Sequence, residues 1–206
     1  MAETEISPEA AQAEIVAAGR LLSVRGWVTA TSGNLSRRID QDRIAITASG
    51  VDKGELTPGD IMTVRLSEAI PKGVSAETPL HMLLYRRDPK IGAVLHTHSP
   101  VATVVSRAQG AADTLVFQGY ELQKGLRGVK GHEEEVRLPL FANSQDVPAL
   151  AEIVERRLDG ESGVWGYALA GHGLYAWGAS MAEARRHLES YEFLLQCELE
   201  RGRYRP

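Results

Sequence analysis

The chain holds a single cysteine, Cys197, so no internal disulfide can staple it. It has no apolar run near the length that crosses a bilayer. The residues leading up to Ile15 are acidic, which argues against a secretory leader. Basic residues are outnumbered, 23 Lys and Arg against 27 Asp and Glu, and a formal net charge of −4 leaves no basic face for nucleic acid. Aromatics make up only 6%, hydrophobic residues 43% and charged residues 24%, an ordinary globular composition. Together these features point to a cytoplasmic protein, one domain over residues 1–206, large enough for a substantial core. No repeat, low-complexity tract or composition break divides it.

What the chain does have is concentrated in Val94 to Val101, VLHTHSPV. Ala93, Val94 and Leu95 form an apolar run with strand propensity that ends in His96-Thr97-His98. Ser99 offers an N-cap, and Pro100 suits the first turn of a helix through Val101, Val104 and Val105. Histidines at i and i+2 on an extended segment share one face of a sheet. At a strand's exit, where open sheets keep their sites, they form the nucleus of a transition-metal site. Equally, one could be a packed core residue and the other exposed. A third ligand decides between these readings. His172 qualifies: it stands between Gly171 and Gly173 at the end of one strand and the start of the next.

Around this pattern the elements read in order. A helix opens at Ser7-Pro8-Glu9, runs through Leu22 and ends at Gly26. Two small loops, Thr31 to Ser36 and Ala48 to Gly50, flank the strand Arg43 to Thr47. They are either ordinary turns or an anion pocket built from backbone N–H groups and hydroxyls, with Lys53 nearby as a cation or merely a surface residue. Ile61 to Leu66 reads as a strand, and Ser75 to Pro79 starts a helix through Tyr85. Glu77, at that helix N-terminus, is either a surface cap or a residue turned into the site. His81, one turn on, reads as a packing residue or a support for the ligands. Thr114 to Phe117, Val136 to Phe141 and Trp165 to Leu169 read as strands, and Asp146 to Leu158 as an amphipathic helix. Gly119 to Gly125 has weak helical character, His132 falls in an exposed loop, and Ser180 caps a long final helix bearing His187 as a surface or interface residue.

Five short motifs in this order, Ser32-Gly33-Asn34, Thr47 to Gly50, Ser75 to Glu77, His96-Thr97-His98 and Gly171-His172-Gly173, resemble those of the class II aldolase/adducin superfamily. Gly119 to Leu126 (GYELQKGL) and Gly171 to Gly178 (GHGLYAWG) are similar to segments of its methylthioribulose-1-phosphate dehydratases. The resemblance implies an α/β fold, a three-layer α/β/α sandwich around a mixed, largely antiparallel sheet, assembled as a homotetramer. It implies one zinc ion held by His96, His98 and His172, with Glu121 as the catalytic acid/base. Ser32, Gly33, Asn34, Ser49, Gly50 and Ser75 would correspond to the phosphate-binding residues of the related sugar-phosphate aldolases. Ala76 replaces the second serine of their pair, and Glu77 falls where they carry a catalytic, metal-coordinating glutamate.

The reaction implied is loss of water from 5-methylthioribulose 1-phosphate in methionine salvage, with the metal as Lewis acid. Glu121 fits as base only with a pKa raised toward neutrality, as a partly dry pocket favours. A sugar-phosphate aldolase or ribulose-phosphate epimerase of the same superfamily is the alternative, and a non-catalytic adducin-like module a second one. Imidazole sites also accept iron, cobalt, nickel and manganese.

Overall fold

The computed structural model describes residues 5–110 and 112–204. Helices are α1 (Pro8–Val24), α2 (Thr78–Arg87), α3 (Pro100–Ala108), α4 (Val147–Asp159) and α5 (Met181–Arg203). Strands are β1 (Asn34–Arg38), β2 (Arg43–Thr47), β3 (Ile61–Arg65), β4 (Ala93–Thr97), β5 (Thr114–Phe117), β6 (Val136–Phe141), β7 (Gly166–Leu169) and β8 (Gly173–Gly178).

Local chemistry sets the helix starts. Ser7, Ser99, Asp146 and Ser180 each turn a side-chain oxygen back to an otherwise unpaired N–H of the first turn, on Ala10, Ala102, Ala149 and Glu183. Proline in the first turn of α1, α3 and α4 costs no hydrogen bond there.

The strands form one sheet in the order β3-β2-β1-β4-β8-β7-β6-β5. Every neighbouring pair is antiparallel except β6 and β7. Helices cover both faces. On one, Ile15, Leu22, Val105, Leu188 and Leu195 of α1, α3 and α5 pack with Leu35, Leu95 and Ala176. On the other, Leu80, Leu84, Leu150 and Val154 of α2 and α4 pack with Ile44, Val94, Tyr167 and Tyr175. Adjacent residues Val94 and Leu95 thus feed opposite cores, which is why β4 is buried along its whole length. The expected α/β/α sandwich is the observed one. Among the described residues no helix is long and apolar enough to cross a membrane.

His187 departs from expectation. It is fully buried, with Nδ1 2.6 Å from the carbonyl of Trp177, Nε2 accepting from the N–H of Arg127 at 3.2 Å, and its ring stacked on Trp165. Burial holds its pKa down at about 4, so the ring is neutral. The segment around Gly125 and Arg127 lies against α5 and covers the face that periodicity alone leaves open.

β4 and β8 are central neighbours, with His96 opposite Tyr175 and Thr97 opposite Leu174. Asn34, at the start of β1, lies opposite His96 on β4's other side. The exit of β4, the start of β1 and the β7–β8 turn therefore share one end of the sheet. Close pairing there depends on Gly173, where a Cβ would fall 1.9 Å from the carbonyl oxygen of Thr97. Gly173→Ala is expected to lower the unfolding free energy by roughly 3 kcal/mol, since backbone must move to relieve the overlap. Denaturant unfolding measures this, and a loss below about 0.5 kcal/mol would mean the two strands separate freely at that point.

Candidate metal centre

At that end of the sheet four side chains converge. The Nε2 atoms of His96 and His98 are 2.8 Å apart, and those of His98 and His172 are 3.0 Å apart. Glu77 closes the group, with Oε2 3.3 Å from His96 Nε2 and Oε1 3.2 Å from His172 Nε2. One donor atom from each of the four lies within 4.8 Å of all the others.

Proton placement tests whether these donors suit a cation. His96 Nδ1 lies 3.1 Å from the carbonyl of Leu174, and His172 Nδ1 lies 3.1 Å from Asn143 Oδ1. Oxygens of that kind only accept, so each Nδ1 carries the hydrogen and each Nε2 presents a lone pair. Burial, and then the neighbouring imidazoles of His96 and His172, push His98 down to about 3, so its ring is neutral too. One neutral ring between two lone pairs can donate to only one of them. Burial would raise the carboxyl of Glu77, but His96, His172 and the amide of Asn34 outweigh it and hold the group below the usual carboxylate range. Two or more lone pairs and a carboxylate directed at one point are the donor set of a divalent transition metal. The residues fit such an ion.

Local structure explains how the four come together. His96 and His98 leave β4 just before Ser99 caps α3. His172 sits on the β7–β8 turn, where its carbonyl accepts from Thr103 Oγ1 at 3.0 Å. Glu77 caps α2 by position only: its side chain makes no cap hydrogen bond and turns to the histidines instead. Of the two readings open for Glu77, the structure shows the one turned into the site.

A buried hydrogen-bond chain aims that carboxylate. Asn34 Nδ2 donates to Glu77 Oε2 at 2.6 Å, and its other amide hydrogen goes to Ser75 Oγ at 3.1 Å. Asn34 Oδ1 accepts from Nε2 of His81, whose Nδ1 lies 2.7 Å from Ser36 Oγ, itself 2.8 Å from the Tyr85 hydroxyl. Burial, with the neighbouring ring of His96 second, pushes His81 down to about 3, so it is neutral. With hydrogen on Nε2, Nδ1 must accept, so Ser36 donates to it and Tyr85 donates to Ser36. On the other side of the sheet, Glu192 of α5 accepts from Thr97 Oγ1 at 3.3 Å and Ser99 Oγ at 2.7 Å, tying the residues that flank His98. Burial lifts this carboxyl to about 7 against those hydrogen bonds.

Next to the cluster is a cavity of about 180 Å³ whose wall includes Ser32, Gly33, Asn34, Ser49, Gly50 and Ser75, together with Glu77 and His98. Gly33 makes the close fit possible: its φ is +73°, and a Cβ would lie 2.7 Å from the carbonyl of His96. Every residue assigned to phosphate binding by resemblance thus lines one space. Asn34, however, has both amide hydrogens committed to Ser75 and Glu77, so its side chain orients the carboxylate.

Glu121 is elsewhere. It stands exposed on a 3-10 turn, Glu121–Gly125, paired with Lys124 and 3.7 Å from His132. The Lys124 hydrogen bond lowers its pKa, contrary to the expected raised value, because no dry pocket surrounds it within one copy of the chain. The supporting residues Ser36, Tyr85, Asn143 and Glu192 carry no local signal. They act on partners dozens of positions away.

The sequence profile of the Class II Aldolase and Adducin N-terminal domain matches residues 13–199. A methylthioribulose-1-phosphate dehydratase of Xanthomonas oryzae pv. oryzae (strain MAFF 311018) is 54% identical over 189 residues, covering 90% of this chain and 84% of the relative. One of Marinobacter nauticus is 51% identical, covering 93% of each chain. The crystal structure of L-fuculose-1-phosphate aldolase from Thermus thermophilus superposes with a TM-score of 0.75 at 30% identity, covering 92% of this chain and 93% of that one.

The hydrogen-bond chain behind Glu77 has a measurable consequence. His81→Phe keeps the ring volume and removes both hydrogen bonds, and is expected to weaken divalent-metal binding about 10- to 100-fold. Competition with a chromophoric chelator measures this. Parental affinity in the variant would show that Glu77 is held without the chain.

Proposed function

The chain belongs to the class II aldolase and adducin family, and from that premise we propose that it is a zinc-dependent methylthioribulose-1-phosphate dehydratase. The reaction removes water from 5-methylthioribulose 1-phosphate and gives 5-methylthio-2,3-dioxopentyl phosphate, a cytoplasmic step of methionine salvage.

One observation carries the reading. Glu77 and His98 belong both to the donor cluster and to the wall of the hydroxyl-lined cavity. A ketose phosphorylated on C1, with its phosphate in that cavity, has its C2 and C3 oxygens next to the cluster. The identity of the curated relatives narrows the ketose to the methylthio sugar.

His96, His98, His172 and Glu77 would hold a divalent ion, which when bound would supply Lewis acidity. The hydroxyls of Ser32, Ser49 and Ser75 and the backbone at Gly33 and Gly50 grip the phosphate and fix C3 in place. A carboxylate then takes the C3 proton. The C4–O bond breaks with return of a proton to the leaving hydroxyl, water departs, and the enol gains a proton at C4 to become the diketone. Glu121 is the proposed carboxylate. Because it is exposed and outside the cluster of its own chain, it serves the site of a neighbouring copy in a homotetramer. Crossing that boundary also supplies the desolvation that raises its pKa.

Retention of Glu77 among the donors, and the likeness to a fuculose-phosphate aldolase, favour C3–C4 cleavage as the second reading. Product mass separates the two: loss of one water against release of dihydroxyacetone phosphate. Turnover is expected to fall more than about 1000-fold in His98→Ala and about 100-fold or more in Glu121→Gln. Mixing and reassembling these two variants is expected to restore about a quarter of parental turnover, since random assembly pairs an intact His98 with a neighbour's intact Glu121 at that frequency. No restoration would place the base within a single copy or on another residue.

A further inference from the structure

Lys53 is a buried cation that the metal centre does not use. Its residue surface is 1% exposed, and its side chain lines the cavity beside Ser32 and Ser49. Among the described residues no carboxylate forms a salt bridge with it, and the charge of neighbouring Asp52 offsets its burial only in part. Glu77, on the same wall, is engaged by His96 and His172, and Asp52 accepts from the N–H of Gly54. An ammonium so placed is stabilised by an opposite charge that comes close to it.

Its hydrogen bonds say where that charge sits. Nζ donates to the carbonyl of Thr31 at 2.9 Å and of Val51 at 2.6 Å. Thr31 opens the first of the two small loops at the cavity and Val51 directly follows the second, so one side chain ties both. An ammonium has three protons, and one remains. On the same wall the hydroxyl of Ser32 is buried without any partner. An unsatisfied hydroxyl and a buried cation without a salt bridge, facing one small polar space, suit an anion rich in acceptors.

We propose that Lys53 supplies the counter-charge for the substrate's phosphate and, through Thr31 and Val51, sets the spacing of the loops that grip it. Lys53 is then the residue by which the site prefers a phosphorylated ketose to the free sugar. The assignment rests on the phosphate reading of the cavity. Burial already pushes the amine below its ordinary value, and a bound dianion reverses that pressure.

The test compares the metal-loaded parent with Lys53→Met, Lys53→Gln and Lys53→Arg. Inorganic phosphate is titrated calorimetrically, and steady-state kinetics are run with 5-methylthioribulose 1-phosphate. Loss of one charge-assisted contact is expected to weaken phosphate binding and raise KM about 10- to 100-fold in the neutral variants. In them kcat changes less than about threefold and the metal bound per chain stays the same, while Lys53→Arg recovers most of the affinity. The parent provides a readout that needs no variant: with 15N-labelled lysine, phosphate should move one Nζ resonance. Neutral variants that bind phosphate like the parent, or no lysine resonance responding to phosphate, would overturn the assignment. A parent that binds neither phosphate nor the phosphorylated sugar would overturn the phosphate reading itself, and the role of Lys53 with it.

Discussion

Crowding of three imidazoles and a carboxylate around one point is the constraint that the rest of this molecule is built to withstand. His96, His98 and His172 bring their Nε2 atoms to about hydrogen-bond distance of one another, with the carboxylate of Glu77 against them. Left to themselves such side chains rotate apart into water. Here three of the four are fixed from behind. His96 and His172 donate through Nδ1 to Leu174 and Asn143, and Glu77 is held by Asn34. Those hydrogen bonds choose the tautomer as well as the direction, so the arrangement is electronically set for a cation before one binds.

The scaffold supplies rigidity where the site needs it. β4 and β8 lie in the middle of the sheet and are buried on both faces, so the backbone carrying His96 cannot relax without opening two cores. Polar ties extend this rigidity into the loops. The chain from Tyr85 through Ser36, His81 and Asn34 reaches Glu77 on one face, and Glu192 clasps Thr97 and Ser99 on the other. The centre is therefore gripped from both helical layers. The cavity beside it shares Glu77 and His98, so whatever enters the cavity meets the same fixed atoms that form the donor cluster.

Much of this is legible in the chain itself. Capping serines, prolines in first turns and apolar alternation place most elements, because these signals act within a few residues of where they are written. His96-Thr97-His98 and Gly171-His172-Gly173 are legible for a similar reason: strand geometry sends i and i+2 to one face, and glycine permits the close turn. Glu77 is ambiguous in sequence because a helix N-terminus attracts carboxylates whether or not a site lies beside it. The links from Asn34 to His81 and from Glu192 to Ser99 are tertiary, and no periodicity encodes them. His187 reads as a surface residue because the segment covering it comes from another part of the chain. Glu121 shows a further limit, since an exposed residue paired with Lys124 has no local environment from which a role can be read.

The most direct measurement is X-ray absorption at the zinc edge on protein loaded with zinc and analysed for metal content. The expected result is one zinc per chain, with a first shell of three imidazole nitrogens and carboxylate oxygen at about 2.0–2.2 Å. A shell with sulfur from Cys197, with fewer than two imidazoles, or with several zinc ions per chain would contradict it.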